Sequence, residues 1–128
     1  MRRMNESETR LNYIDPALES AGWKKEQIRL EYYFTDGLVM VQGNTAKRGP
    51  AKRCDYLLLA ENLETPLAII EAKASYKIAS QGLQQAADYA EILDVPFAFS
   101  TNGHEFVEHD MLAGTITDTP FSQFPTPA

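Results

Sequence analysis

The sequence has one cysteine, Cys54, two histidines, no long apolar run and little positive charge. A single thiol excludes an internal disulfide framework and any cysteine-rich zinc site, so nothing in the chain asks for an oxidising compartment. His104 and His109 have no ligand partner at zinc spacing and read as surface residues of a hairpin. Positions 1 to 20 contain Arg2, Arg3, Glu6, Glu8, Arg10, Asp15 and Glu19 in place of the apolar core of an export signal, and no stretch approaches a membrane span. A cytoplasmic chain with no membrane partner is the expectation. The 12 lysines and arginines face 18 acidic residues, a net charge of −6. A free-standing nucleic-acid binder normally needs a basic footprint, because phosphate neutralisation supplies most non-specific affinity. Here the positive charge clusters locally at Lys47, Arg48, Lys52 and Arg53. These four are the candidate DNA contacts, and if the chain cuts DNA something else must help hold the duplex.

The 128 residues, 44% hydrophobic and 23% charged, suit one globular domain with a continuous core. Ser7 or Asn5 can cap a first helix with Leu11, Ile14 and Leu18 on one face and Gly22 as its stop. Asp15-Pro16 either kinks this helix or starts a second short one. Ile28 to Phe34 and Leu38 to Gln42 read as strands around a turn at Asp36-Gly37, and Gly43 to Lys52 as a loop. Asp55 to Ala60 and Leu67 to Lys73 read as two more strands, joined by the polar stretch Glu61 to Thr65. Ile78 to Leu93 is the strongest helix, striped by Ile78, Leu83, Ala86, Ala87, Ala90 and Leu93. Pro96 to Thr101 is a short strand, and Asn102-Gly103 signals a type I′ hairpin into His104 to Val107. Trp23, Cys54 and Phe97 are expected in the core. This order predicts an α/β (α+β) fold, a mixed central β-sheet flanked by helices. The three prolines after Asp118 divide the chain into a domain over 1–117 and a Pro-rich linker over 118–128.

Fifteen residues separate Asp55 from Glu71-Ala72-Lys73. Strand alternation puts Glu71 and Lys73 on one face, roughly 6 to 7 Å apart. An antiparallel fold about Leu63 sets Asp55 opposite Glu71, with Cβ atoms roughly 4.5 to 5.5 Å apart. Two carboxylates and an ammonium so placed are what a magnesium-dependent phosphodiesterase needs, since Mg²⁺ takes one or two carboxylates plus waters and phosphate. Without metal the two carboxylates repel, and one pKa should rise. The same cluster is also compatible with a surface ion pair. Gln85 and Tyr89, four apart on the strong helix, project from one side.

Taken together these residues resemble the N-terminal nuclease domain of the R subunit of type I restriction enzymes, a branch of the PD-(D/E)xK nucleases. The likeness runs through Glu8-Thr9-Arg10, Tyr13-Ile14, Ala21-Gly22-Trp23, the Asp55 strand, Glu71-Ala72-Lys73, Gly82 to Ala90, and Phe97 to Gly103. Gln85 with Tyr89 matches the QxxxY motif of that branch. Cys54 stands where the motif name has proline. The resemblance implies a restriction-endonuclease-like core and a Mg²⁺ ion held by Asp55 and Glu71, with the Ala72 carbonyl and, through water, the helical Glu8 as further contributors. It implies that Lys73 manages the attacking water and phosphate charge, with Gln85 and Tyr89 orienting Lys73 or touching the DNA backbone. It implies double-stranded DNA as substrate, methylation and specificity subunits as partners, and ATP used only by a motor domain beyond the linker. Two alternatives stay open: a non-catalytic docking module of nuclease fold that anchors a DNA motor to partner subunits, and a stand-alone regulatory or defence protein.

Overall fold

The computed structural model describes residues 4–34, 38–40, 46–48 and 52–127, the two three-residue stretches by their backbone only. In chain order the strands are β1 (Ile28–Phe34), β2 (Leu38–Met40), β3 (Ala46–Arg48), β4 (Lys52–Leu59), β5 (Pro66–Ala72), β6 (Phe97–Thr101), β7 (Glu105–Asp110) and β8 (Thr115–Pro120). Six of them form a mixed sheet in the order β1-β4-β5-β6-β7-β8, in which only β5 and β6 run parallel. That one parallel step needs a crossover, and α3 (Leu83–Leu93) provides it. The small β2–β3 ladder keeps the register of β1–β4: Phe34 faces Lys52, and Leu38 faces Arg48 four residues further along each strand. The expected loop over 43–52 therefore contains β3 and the start of β4. The turn expected at Asp36-Gly37 lies outside the described residues.

The N-terminal helices cover one face of the sheet. Asn5 and Glu8 form a reciprocal cap that starts α1 (Glu6–Thr9), with the Asn5 side chain accepting from the Glu8 N–H at 2.8 Å. A π-helical turn over Arg10–Ile14 then leads into α2 (Asp15–Ser20). The wide turn comes immediately before Pro16, where regular α-helix would press the proline ring on the Asn12 carbonyl. The helix passes the proline without a break, and Asp15 accepts a hydrogen bond from the Tyr56 hydroxyl. Its shifted phase leaves Leu11 70% exposed, while Ile14 and Leu18 are fully buried. Gly22, at φ +99°, ends α2 as the sequence predicts; the Gly22 and Trp23 N–H groups close back on Glu19 and Leu18.

Ile14, Leu18 and Trp23 pack on Tyr56, Leu58, Ala68, Ile70, Phe99 and Phe106. On the opposite face, Ala86 and Ala90 of α3 meet Cys54, Leu57, Leu59, Ile69 and Ala98. With helices on both sides, β4 is buried from Cys54 to Leu59, the near-continuous apolar run of a central strand. α3 starts later than predicted. Ile78 is 74% exposed and extended, and Ala79–Gly82 is a 3₁₀ turn whose Gly82 N–H donates to Ser100 Oγ at 3.0 Å.

Two further expectations change. At the β6–β7 turn only Gly103 has positive φ, +90°, whereas a type I′ turn needs two such residues. The buried Asn102 instead accepts from the His104 and Glu105 N–H groups and donates to the Lys77 carbonyl. The boundary placed after residue 117 falls inside β8, Phe124 is 5% exposed in the core, and the Trp23 indole donates to the Pro125 carbonyl at 2.9 Å. The packed unit thus extends well into the segment read as a linker, because its phenylalanines cover Phe106 and Phe99. Phe97 is half-buried at the core's margin, and Trp23 and Cys54 are buried as expected. Among the described residues no helix is long and apolar enough to cross a membrane.

Candidate active site

The β4–β5 ladder pairs Leu58 with Ala68, Leu57 with Ile69 and Tyr56 with Ile70. One more step in that register sets Asp55 across from Glu71, the symmetry about Leu63 read from the sequence. The backbone pairing stops before that step. Asp55 Oδ2 accepts the Ala72 N–H at 2.8 Å, so a carboxylate enters the fork where the strands part. Ala68, Ile70 and Ala72 point to the N-terminal helices and Ile69 to α3, which puts Glu71 and Lys73 on the α3 side. Lys73 lies just past β5, yet its N–H still reaches the Thr101 carbonyl at 2.8 Å, continuing the line of the sheet.

The 3₁₀ turn before α3 closes over these side chains. A Cβ on Gly82 would stand 2.9 Å from Lys73 Cε, 3.0 Å from Ser100 Oγ and 3.2 Å from Glu71 Cβ. Glycine is needed there for close approach, since its φ is an ordinary −93°. Ser100, fully buried and in register with Glu71, fixes this turn through its bond to Gly82.

Asp55 and Glu71 are each 4% exposed. Burial, together with the hydrogen bond and the charge of Asp55, pushes Glu71 well above the usual carboxylate range, against the opposing pull of Lys73. Glu71 Oε1 is buried without a hydrogen-bond partner. Asp55 Oδ1 faces Arg53 at 3.5 Å. Burial, then the charges of Glu71 and Asp55, also raise the Cys54 thiol to about 12, so Cys54 is an uncharged core residue.

The remaining predicted site residues divide. Gln85 and Tyr89 do share a side of α3: Gln85 Nε2 donates to the Tyr89 hydroxyl at 2.6 Å, and Phe34 packs edge-on to the Tyr89 ring at 5.0 Å. Glu8 closes the helix cap, its Oε1 3.4 Å from the Asn5 N–H. Glu6, on the same helix, is half-buried and raised first by burial and then by Asp55, with Lys73 opposing. Of the basic cluster, Lys52 is half-buried and Arg53 lies beside Asp55; the side chains of Lys47 and Arg48 lie outside the described residues. Sequence reading passed over Gly82, Ser100 and Glu6, and only Gly82, a breaker before a strong helix, left a local signal.

A divalent ion of the hard, oxygen-seeking kind suits this arrangement. The donor set is two carboxylates, one with an orphaned buried oxygen, beside the Ala72 peptide. Among the described residues no three His, Cys, Asp or Glu gather into a ready-made cage. Mg²⁺ fits, because it keeps several waters and uses few protein ligands. Structural zinc, which wants four nitrogen or sulfur ligands, does not.

Three comparisons bear on the family of the chain. The family profile described as the N terminus of type I restriction enzyme R proteins matches residues 5–125. The EcoAI type I restriction enzyme endonuclease subunit of Escherichia coli is 41% identical over 120 residues, which is 90% of this chain and 15% of that protein. A solved fragment assigned to an HsdR subunit of a type I restriction enzyme from Vibrio vulnificus YJ016 is 43% identical, with a TM-score of 0.81 over 99% of this chain and 24% of that one. The chain therefore spans less than a quarter of the length of either relative. With the profile running through both helical layers and every strand of the sheet, the chain belongs to the family of type I restriction enzyme R protein N termini.

Proposed function

We propose that this chain is the Mg²⁺-dependent nuclease module of a type I restriction enzyme R subunit and hydrolyses phosphodiester bonds of double-stranded DNA. The observation that carries the reading is the buried Glu71 oxygen left without a partner next to Asp55 and Lys73. A buried carboxylate oxygen without a partner is costly, and a cation is the compensation its chemistry asks for. Asp55 and Glu71 would hold the ion, with the Ala72 carbonyl as a further contributor. When bound, magnesium neutralises charge building on the phosphate and makes water a better nucleophile. Lys73, wedged by Gly82, orients the attacking water and offsets phosphate charge as a point cation. Gln85 and Tyr89 contact the DNA backbone near the scissile bond as a hydrogen-bonded pair. Arg53 and the basic residues before it, Lys47, Arg48 and Lys52, add phosphate contacts.

The net charge of −6 means that the rest of a longer subunit must supply most duplex affinity. In this reading the remainder is an ATP-driven motor working in the cytoplasm with methylation and specificity subunits. The names of the two relatives, a restriction endonuclease subunit and an HsdR fragment, support a place in a type I restriction enzyme.

A manganese titration followed by paramagnetic broadening of amide signals tests the metal site, since Mn²⁺ shares magnesium's oxygen preference. Saturable broadening centred on Asp55, Glu71 and Ala72, lost in Asp55→Asn, is expected. In a full-length subunit the same substitution is expected to reduce cleavage at least about 100-fold. Diffuse broadening unchanged by the substitution, with partner subunits still bound, would put the docking-module reading ahead.

A further inference from the structure

In the β1–β4 register, Leu30 faces Tyr56 and Tyr32 faces Cys54, so Glu31 stands across from Asp55. Glu31 has φ +51°, a left-handed residue in mid-strand. Side chains adopt that conformation at a cost, and such outliers mark places where a fold holds a residue for a purpose. The contacts of Glu31 supply one. Its Oε1 lies 3.6 Å from Arg53 Nη1 and 3.4 Å from Arg10 Nη1. Arg53 in turn sets Nη2 3.5 Å from Asp55 Oδ1, the partner of the Oδ2 that accepts the Ala72 N–H. Arg10, braced over the Tyr56 ring at 5.3 Å, fixes Glu31 from the far side. One guanidinium thus bridges a half-exposed carboxylate and a buried one.

We infer that Arg53 is a resident cation at Asp55 which a divalent ion must displace, and that Glu31 is the positioning residue to which the guanidinium then retires. The inference rests on the metal-site reading above. It follows from charge and geometry. A divalent ion using Asp55 Oδ1 is repelled by a guanidinium held at ion-pair distance from the same oxygen. Arg53 can rotate from Asp55 without losing its anion, because its other nitrogen already faces Glu31. Once there it keeps its charge paired with Glu31.

The test is the Mn²⁺ affinity of the chain, read from amide broadening, in a double-mutant cycle. Arg53→Ala removes the competitor and is expected to tighten Mn²⁺ binding roughly 3- to 10-fold. Glu31→Gln leaves Arg53 wholly to Asp55 and is expected to weaken it roughly 2- to 3-fold. In the Arg53→Ala background the effect of Glu31→Gln should vanish, which a merely structural role or a bare field effect of Glu31 would not produce. Unchanged affinity in Arg53→Ala, or an equal effect of Glu31→Gln in both backgrounds, overturns the inference while leaving the metal site intact. Absence of site-centred broadening in every variant, including wild type, removes the metal-site reading and this inference with it. Arg53→Gln serves the same arm if the amide spectrum shows that alanine disturbs the fold.

Discussion

The two ends of the β4–β5 pair are built on opposite principles. From Tyr56 to Leu58 the partners pair in unbroken register, side chains alternate between two apolar layers, and every residue is buried. From Arg53 to Asp55 the strands part, a carboxylate takes a backbone donor, a neighbouring residue on β1 is left-handed, and a buried acid has an oxygen without a partner. One end satisfies the rules of strand pairing and apolar burial. The other departs from them within one or two residues, and the candidate chemistry gathers there. The regular end supplies the rigidity that lets the irregular end persist, so substitutions at the two ends should differ in size and in kind.

The largest effect belongs to the regular end. Leu58→Ala empties a fully buried site between Ile14, Leu18 and Ile70 and is expected to cost about 2 to 5 kcal/mol, read as a fall in denaturation midpoint. Mn²⁺ binding to whatever remains folded should be unchanged. Gly82→Ala comes next. Its methyl would meet Ser100 Oγ and Glu71 Cβ at 3.0 and 3.2 Å, and about 1 to 3 kcal/mol should be lost in chemical denaturation. Because Lys73 must also shift, this variant should lose cleavage in a full-length subunit even where it is folded. Full activity would show that the turn is only packing.

Glu71→Gln should have the opposite sign. The folded-state pKa of Glu71 is raised above the ordinary 4.5, so the folded chain holds a proton that the unfolded chain has released. The resulting penalty is absent below about pH 4.5, grows as pH rises and is complete above the raised value. Glutamine carries no such penalty. Melts without metal should show the variant gaining on wild type from about pH 5 to pH 9, reaching on the order of 1 to 3 kcal/mol. Saturating Mg²⁺ should narrow the gap, and a pH-independent difference would count against a metal-ready acid. The smallest effect inverts a rule of β-propensity. At an ordinary mid-strand position valine outranks glycine, yet at left-handed Glu31 the glycine variant should be the more stable by about 1 to 2 kcal/mol. A higher melting temperature for Glu31→Val than for Glu31→Gly would mean that the position relaxes to ordinary strand.

Local rules carried much of this protein. The apolar runs on either side of the Glu61–Thr65 connection foretold β4 and β5 and the antiparallel register that, carried one step past Tyr56 and Ile70, sets Asp55 across from Glu71. Gly22 as a helix stop, the apolar face of α3, and the Gln85–Tyr89 pair are likewise short-range consequences of helical geometry. The misplaced features depended on distant partners. Ile78 is left out of its helix because Gly82 bonds Ser100 on β6, and the turn at Asn102 takes its form from the Lys77 carbonyl. The Pro-rich end packs because Phe106 and Trp23 lie where Phe121 to Pro125 can cover them. Prolines signal local stiffness but say nothing of what apolar surface waits nearby.

The sequence by itself determined the layered α/β (α+β) plan and the carboxylate pair with its lysine, since these rest on periodicity and on residue types at fixed spacing, while the family came from the resemblance of its motifs to known R subunits. Only the tertiary structure decided that the ladder opens at Asp55, that one buried oxygen of Glu71 has no hydrogen-bond partner, and that Glu31 reaches Arg53 from a left-handed backbone. Burial, strain and the sharing of one guanidinium between two acids are properties of neighbours far apart in the chain, and no local pattern records them.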